Sequence, residues 1–131
     1  LPLDPRLTLA ARLNLAGLLV EAGELQEAAH LCRQAIGAAP GLPLAWSQLG
    51  LVERRRGAIA AAIEAYREAL RLDPDHLPSH QNLAVALLMA GDIAGCRAAF
   101  REAIARLRAR GLDREAESLH RQAATMVRLH D

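Results

Sequence analysis

The sequence predicts an all-α solenoid, in which three helix–turn–helix repeats stack side by side and a C-terminal capping helix follows them. Hydrophobic residues make up 52% of the chain but aromatic residues only 2%, and this composition favours helix over sheet. Shifting the chain by 34 residues aligns residues 9–42, 43–76 and 77–110 without a gap. A period of this size is typical of stacked supersecondary units.

Each predicted repeat contains two helices separated by helix-breaking residues. Four columns of the alignment are identical: Leu15, Leu49 and Leu83; Gly23, Gly57 and Gly91; Arg33, Arg67 and Arg101; Ala35, Ala69 and Ala103. The glycine column ends the first helix, because glycine adopts the left-handed conformation at little cost. Pro40 and Pro74 stop the second helix. The apolar spacing of three and four predicts that the leucine column faces the core.

The flanking segments predict how the array starts and ends. Asp4-Pro5 has the features of a helix start, which places the beginning of the first helix before residue 9. The third unit lacks a closing proline, so its second helix is expected to continue to Gly111. Asp113 is expected to cap a final helix at about 112–131. Its predicted apolar face contains Leu112, Ala116, Leu119, Ala123, Met126 and Val127.

No apolar run approaches the roughly 18 residues that a membrane span requires, so we expect none. The predicted location is cytoplasmic, with the periplasm as the alternative. Because the chain starts with Leu rather than Met, we expect it to be a fragment of a longer protein that forms one domain over residues 1–131.

Residues 45–74 resemble a tetratricopeptide repeat. The residues on the signature spacing of that family are Trp46, Leu49, Gly50, Ala62, Tyr66, Ala69 and Pro74. Glu53 departs from the pattern, since an aromatic residue is usual there. In the outer units, Arg12 and His80 stand in place of the Trp. The resemblance implies a right-handed α-solenoid whose first helices line a concave face, and a function in binding proteins or peptides.

The sequence contains no motif that indicates catalysis. A glycine-rich phosphate loop, a nucleophile elbow and a Cys/His metal cluster are all missing from the chain. His76 and His80 have the spacing of helical metal ligands, but Pro78 is expected to start a helix that excludes His76. Cys32 and Cys96 are expected to be small buried residues. We therefore predict a non-enzymatic segment with no metal and no cofactor.

Nucleic-acid binding is also not predicted. Arg106, Arg108 and Arg110 form a basic cluster, but alternate positions of a helix do not share a face, and aromatic residues that could stack on bases are scarce.

Side-chain amides recur in one column of the repeat and mark the predicted groove. In the phase set by the leucine column, the groove-facing residues are Asn14, Gly17 and Glu21; Gln48, Leu51 and Arg55; Asn82, Val85 and Met89. A carboxamide donates and accepts together, so it suits an extended peptide backbone. The column is similar to that of tetratricopeptide arrays of the O-linked N-acetylglucosamine transferase type. Alternatively, the amides bond only neighbouring turns or water.

The leading hypothesis is a scaffold that binds an extended peptide or protein segment. Asn14, Gln48 and Asn82 would hold the backbone of that segment. Apolar contacts and charge selection would come from Leu51, Val85, Met89, Glu21 and Arg55. Two alternatives are a substrate-presenting arm of a larger glycosyltransferase- or methyltransferase-type enzyme, and a homo-oligomer that self-associates through Leu51, Val85, Leu88 and Met89.

Binding of chaperone tails, as in tetratricopeptide co-chaperones, is not expected. The positions that hold a terminal carboxylate in those proteins are occupied by Leu13, Gly17, Gln48, Pro78 and Asn82, none of which is a cation.

Overall fold

The computed structural model describes residues 8–128, and this part of the chain contains seven α-helices and no strand. The helices are α1 (Leu9–Glu21), α2 (Leu25–Ala38), α3 (Pro43–Arg55), α4 (Ile59–Leu72), α5 (Leu77–Met89), α6 (Ile93–Ala109) and α7 (Asp113–Ala124). Successive helices pack as the hairpins α1–α2, α3–α4 and α5–α6, and α7 packs on α6. The predicted all-α solenoid is confirmed.

One turn geometry recurs in the middle of each hairpin. Gly23, Gly57 and Gly91 have φ angles of 81°, 83° and 83°. In the first turn the amide of Gly23 donates to the Val20 carbonyl at 3.0 Å, and the amide of Glu24 donates to the Leu19 carbonyl at 2.8 Å. This is the Schellman pattern, which satisfies carbonyls at the end of a helix. The role predicted for the glycine column is confirmed.

A second kind of turn joins one hairpin to the next. α2 ends at Ala38 and α4 at Leu72, each two residues before a proline. The indole Nε1 of Trp46 donates to the carbonyl of Pro40 at 3.1 Å. The Nε2 atom of His80 lies 2.7 Å from the carbonyl oxygen of Pro74, which is the equivalent atom one repeat later. His80 therefore preserves the contact made by the tryptophan that it replaces.

The core lies between the two helices of each hairpin and between neighbouring hairpins. Small residues occupy its narrowest positions, and Ala16, Gly50 and Ala84 are all buried. A Cβ atom on Gly50 would lie 2.5 Å from Cε1 of Tyr66, whose side chain is fully buried. This close approach is possible only because position 50 has no side chain.

The leucine column does not face the core throughout. Leu83 is 8% exposed and Leu49 is half-buried, but Leu15 is 37% exposed. The expectation for Leu15 is therefore wrong. The reason is that α2 packs on α3 and α4 packs on α5, whereas no helix precedes α1 within residues 8–128.

The ends of the array differ in detail from the sequence expectation. α1 begins at Leu9, where the hydroxyl of the N-cap residue Thr8 accepts from the amide of Ala11 at 3.1 Å. The helix start expected at Asp4-Pro5 lies outside the described residues. Asp113 does not cap α7, because Leu112 occupies the N-cap position. Asp113 instead begins the first turn, where its charge complements the helix dipole.

The last helix reverses direction through a copy of the mid-hairpin turn. α6 continues to Ala109, as the missing proline predicted, and Gly111 follows with a φ of 75°. The amides of Gly111 and Leu112 donate to the carbonyls of Arg108 and Leu107 in the Schellman pattern. α7 ends at Ala124, where Thr125 is the C-cap, so the predicted extension of this helix beyond Ala124 is wrong for the described residues 125–128. α7 buries the apolar side chains Ala116, Leu119 and Ala123, and Val127, which follows the helix, is also buried. The helix packs on α6 and does not continue the row formed by α1, α3 and α5.

Candidate functional site

The first helices of the three hairpins form one continuous inner layer. α1 contacts α3 and α3 contacts α5, whereas no such approach joins α2 to α4 or α4 to α6 within the described chain. Because the first helices lie closer together than the second helices, the layer curves with α1, α3 and α5 on its inner side. The residues that the sequence predicted for the groove lie on these three helices.

The three amides differ in their surroundings. Asn14 is exposed, whereas Gln48 and Asn82 are half-buried. The Nε2 atom of Gln48 donates to the carbonyl of Leu13 at 3.4 Å, so this side chain bridges α3 to α1. A Cβ atom on Gly17 would lie 3.5 Å from the same nitrogen, so the glycine leaves room for the bridge. Within residues 8–128, the side chains of Asn14 and Asn82 make no hydrogen bond to the protein.

The apolar residues predicted for the groove lie on α3 and α5. Leu51 and Val85 are half-buried, and Met89 is 55% exposed. Met89 therefore offers the largest accessible apolar surface among the predicted groove residues.

The two charged groove residues meet each other. A guanidinium nitrogen of Arg55 lies 3.5 Å from a carboxylate oxygen of Glu21, and both side chains are largely exposed. The pair joins the C-terminal ends of α1 and α3, and its two charges offset each other.

Sequence reasoning missed an ion pair between neighbouring hairpins. Glu53 is buried, and its Oε1 atom accepts from Arg33 at 3.5 Å and from Arg56 at 3.4 Å. Arg33 lies on α2 and Glu53 on α3, so the pair links two units. Two signals pointed to it: the departure of Glu53 from the family pattern, and the identical arginine column at position 33.

The thiols are not suited to nucleophilic catalysis. Cys32 and Cys96 are free and buried. Burial raises the pKa of Cys32 to about 11, and it also raises the pKa of Cys96. Both thiols therefore stay protonated near neutral pH, and the thiolate is the reactive form.

The histidine pair is used for structure. His76 is the N-cap residue of α5, so it lies outside the helix as predicted, and its Nδ1 atom lies 2.6 Å from the hydroxyl oxygen of Ser79. Burial lowers the pKa of His76. No group of three or more His, Cys, Asp or Glu side chains that could hold a metal ion occurs within residues 8–128.

The basic cluster is partly neutralised by carboxylates. Arg106 lies 2.7 Å from Glu102 and 3.3 Å from Asp75, and Arg108 lies 3.3 Å from Glu117. The hydrogen bond to Glu102 is the main reason why the pKa of Arg106 is raised.

Sequence models of one family match most of the repeated region. Models described as Tetratricopeptide repeat match residues 4–43, 43–76 and 65–98. The matches together cover the three hairpins as far as the first turns of α6, and the helices show the same period. The chain belongs to the tetratricopeptide repeat family. Such repeats stack into solenoids that serve as scaffolds for protein interactions.

Known proteins with similar sequences or structures agree with this fold. The protein FlbA of Caulobacter vibrioides is 38% identical over 73 residues, an alignment that covers 53% of this chain but only 12% of FlbA. The type III secretion translocator chaperone SycD of Yersinia enterocolitica superposes with a TM-score of 0.73 at 18% identity, covering 90% of this chain and 92% of SycD. MamA (residue 41 to the end) of Desulfovibrio magneticus gives a TM-score of 0.71 at 22% identity, covering 80% of this chain and 59% of MamA.

No helix within residues 8–128 has both the length and the apolar character that crossing a membrane requires.

Proposed function

We propose that this tetratricopeptide repeat protein is a non-catalytic scaffold that binds an extended peptide or protein segment along the inner side of α1, α3 and α5. The observation that carries the proposal is the row of amides on that side, in which Asn14 and Asn82 have no hydrogen-bond partner among residues 8–128. Packing supplies no reason for an amide at these two positions.

Gln48 has a double role in this proposal. One N–H of its amide is held by the Leu13 carbonyl, and the structure gives no protein partner for its carbonyl oxygen within residues 8–128. A carboxamide has two N–H donors and an oxygen that can accept two hydrogen bonds. The bond to Leu13 therefore fixes the side chain of Gln48 and leaves its other N–H and its oxygen available to a ligand. In the alternative to peptide binding, the amides bond only neighbouring turns or water. The hydrogen bond to Leu13 fits that alternative for one N–H of Gln48.

The spacing of the helices sets the length of the bound segment. Packed helices lie roughly 10 Å apart, and an extended chain advances about 3.3 Å per residue. One amide would therefore meet about every third residue of the ligand. Val85 and Met89 favour an apolar ligand residue near α5. Glu21 and Arg55 offset each other, so we propose that charge contributes little to selection.

The test begins with a random-peptide phage library selected on the wild-type chain. A selected peptide is then titrated by calorimetry against the Asn14→Ala/Asn82→Ala double variant and against the triple variant that adds Gln48→Ala. Three hydrogen bonds at about 0.5–1.5 kcal/mol each predict a loss of affinity of roughly tenfold or more in the triple variant. The double variant is expected to lose less.

The matched control replaces an exposed amide of α2 that lines neither the inner side nor the groove beside Leu15 and Leu31, Gln34→Ala, and is expected to bind with unchanged affinity. Circular dichroism establishes that each variant is folded. Unchanged affinity of a folded triple variant would show that the amides do not hold the ligand.

Two other uses of the fold stay predictions, namely a substrate-presenting arm of a larger enzyme and a self-association module. The FlbA alignment covers only a small part of that longer protein, so the activity of any whole protein is a separate question. The full-length gene decides whether this chain is an arm of an enzyme, because a flanking catalytic domain is required for that role.

A further inference from the structure

Within residues 8–128, no helix covers an apolar surface on the outer edge of the first hairpin. We call this surface the α1 edge and define it by Leu15, Leu18 and the half-buried Leu19 of α1, together with the groove beside them that the buried Leu31 of α2 helps to line. Leu18 is 68% exposed and Leu15 is 37% exposed. The surface differs from the proposed peptide groove, which is formed by other positions of α1.

The molecule covers the equivalent surface in both later repeats. Val52 and Ala86, which occupy the column of Leu18, are fully buried. α2 packs on α3, and α4 packs on α5. The α1 edge therefore has the chemistry of an interface that the chain uses twice internally, and in both cases a second helix of a repeat is the covering element.

A groove at this edge has a counterpart that is partly lined by an arginine of the preceding hairpin. Leu15, Leu19 and Leu31 line a groove of about 660 Å³, whose other lining residues are Glu24, Gln26, Glu27 and His30. The same groove recurs 34 residues later, lined by Leu49, Glu53, Ala61, Glu64, Ala65 and Glu68. In that second groove Arg33, from the preceding hairpin, reaches Glu53 at 3.5 Å.

The charges of the first groove fit an incoming arginine. Leu19 occupies the position equivalent to Glu53, but Glu27 occupies the position equivalent to Ala61. The groove thus retains a carboxylate beside an apolar floor, and Glu24 adds a second one. An arginine that approached as Arg33 does would meet Glu27 in place of Glu53.

We propose that the α1 edge docks an amphipathic helix of a partner protein whose apolar stripe carries a central arginine. α2 and α4 show the chemistry of such a helix: Ala29, Arg33 and Ile36 in α2, and Ile63, Arg67 and Leu70 in α4. A second copy of the chain is a poorer occupant. Two α1 edges would bring Glu24 and Glu27 of both copies together, and the exposed residues of α7 are polar apart from Ala124.

The probe is a fluorescein-labelled peptide with the sequence of α4, residues 59–72. It is stapled on its polar face because isolated helices of this length are marginal in water. We expect saturable binding to the full chain by fluorescence anisotropy. Leu18→Glu is expected to weaken binding about tenfold or more, because it places a charge where a leucine would be buried. A peptide with Arg67→Glu is expected to weaken it similarly.

Ile93→Glu is the matched control, because Ile93 is also an exposed apolar residue but lies on α6, outside both the α1 edge and the proposed peptide groove. Its affinity for the peptide is expected to equal that of the wild type. Equal losses for Leu18→Glu and Ile93→Glu, or no saturable binding, would overturn the proposal, as would equal binding of the charge-reversed peptide.

Two further measurements test whether a different occupant covers the α1 edge. Sedimentation that shows a dimer of the chain, dissociated by Leu18→Glu, would assign the edge to a second copy and overturn the proposal. Peptide binding that requires removal of residues 1–7 would assign the edge to the chain's own N-terminal segment and overturn it equally.

Discussion

At Gly50, a hydrogen in place of a side chain allows the ring of Tyr66 to lie directly against α3. The column that contains Gly50 holds alanine in the outer units, where Cys32 and Phe100 replace the tyrosine. In the middle hairpin, the absent side chain of Gly50 is therefore matched to the ring of Tyr66.

Gly50→Ala is expected to destabilise the protein by about 1–2 kcal/mol. Overpacking costs about 1–3 kcal/mol, and the better helix propensity of alanine returns up to about 1 kcal/mol. Gly37→Ala is the matched control, since that position lies in α2 with no atom within 4 Å of the added Cβ, and it is expected to stabilise by about 0.5–1 kcal/mol. Urea denaturation measures both. Equal effects at the two positions would contradict the role assigned to Tyr66.

Neighbouring hairpins are joined by a few specific contacts in addition to apolar packing. The buried Glu53 accepts a hydrogen bond from Arg33 of the preceding hairpin, and Gln48 donates one to the Leu13 carbonyl of the preceding first helix. Glu53 stands in a column with Leu19 and Leu87, so the same position serves apolar packing in the other units.

A double-mutant cycle with Arg33→Ala and Glu53→Leu measures the link between α2 and α3. The expected coupling is about 0.5–1 kcal/mol, because Arg33 is largely exposed and water weakens the pair. Glu53→Leu alone is expected to change the free energy of unfolding by less than about 1 kcal/mol, because an apolar residue can replace a buried ion pair at little cost.

The comparison for this cycle is the exposed pair Glu68 and Arg71 within α4, which lies 2.6 Å apart. Its coupling is expected to be smaller than that of Arg33 and Glu53, because water screens both members of the exposed pair. A coupling between Arg33 and Glu53 no larger than zero would mean that the pair does not hold the hairpins together.

The sequence was sufficient to predict the helices and their turns, because glycine and proline act locally and recur with the period. It was not sufficient for Leu15, since the burial of that residue depends on which helix lies beside it. The N-cap of α7 was also misplaced. Sequence alone favoured Asp113 as the cap, but the Gly111 turn uses Leu112 in that position. The partner of Gln48 depends on inter-helix distance and could not be inferred.

The whole array has two unlike ends. The α1 edge leaves leucines exposed, whereas α7 buries its apolar face on α6 and exposes polar residues. In repeat proteins each unit is stabilised by its neighbours, so a unit covered on one side is expected to open more readily than one covered on both.

Hydrogen exchange is expected to show this difference. The backbone amides of α1 should exchange at least about tenfold faster than those of α5, a first helix of the same length that is covered by α4. Mass spectrometry of peptic fragments measures both helices in one sample. Equal protection of α1 and α5 would show that the uncovered edge does not lower local stability.

The Gly111 turn also affects where additional repeats could be added to the array. α7 packs on α6, so a unit added after α7 would find this side of α6 already covered. A unit duplicated before residue 77 would instead meet the same interfaces that join the present hairpins. Gene duplication can therefore lengthen this solenoid, and with it the inner surface, without disturbing the end that α7 closes.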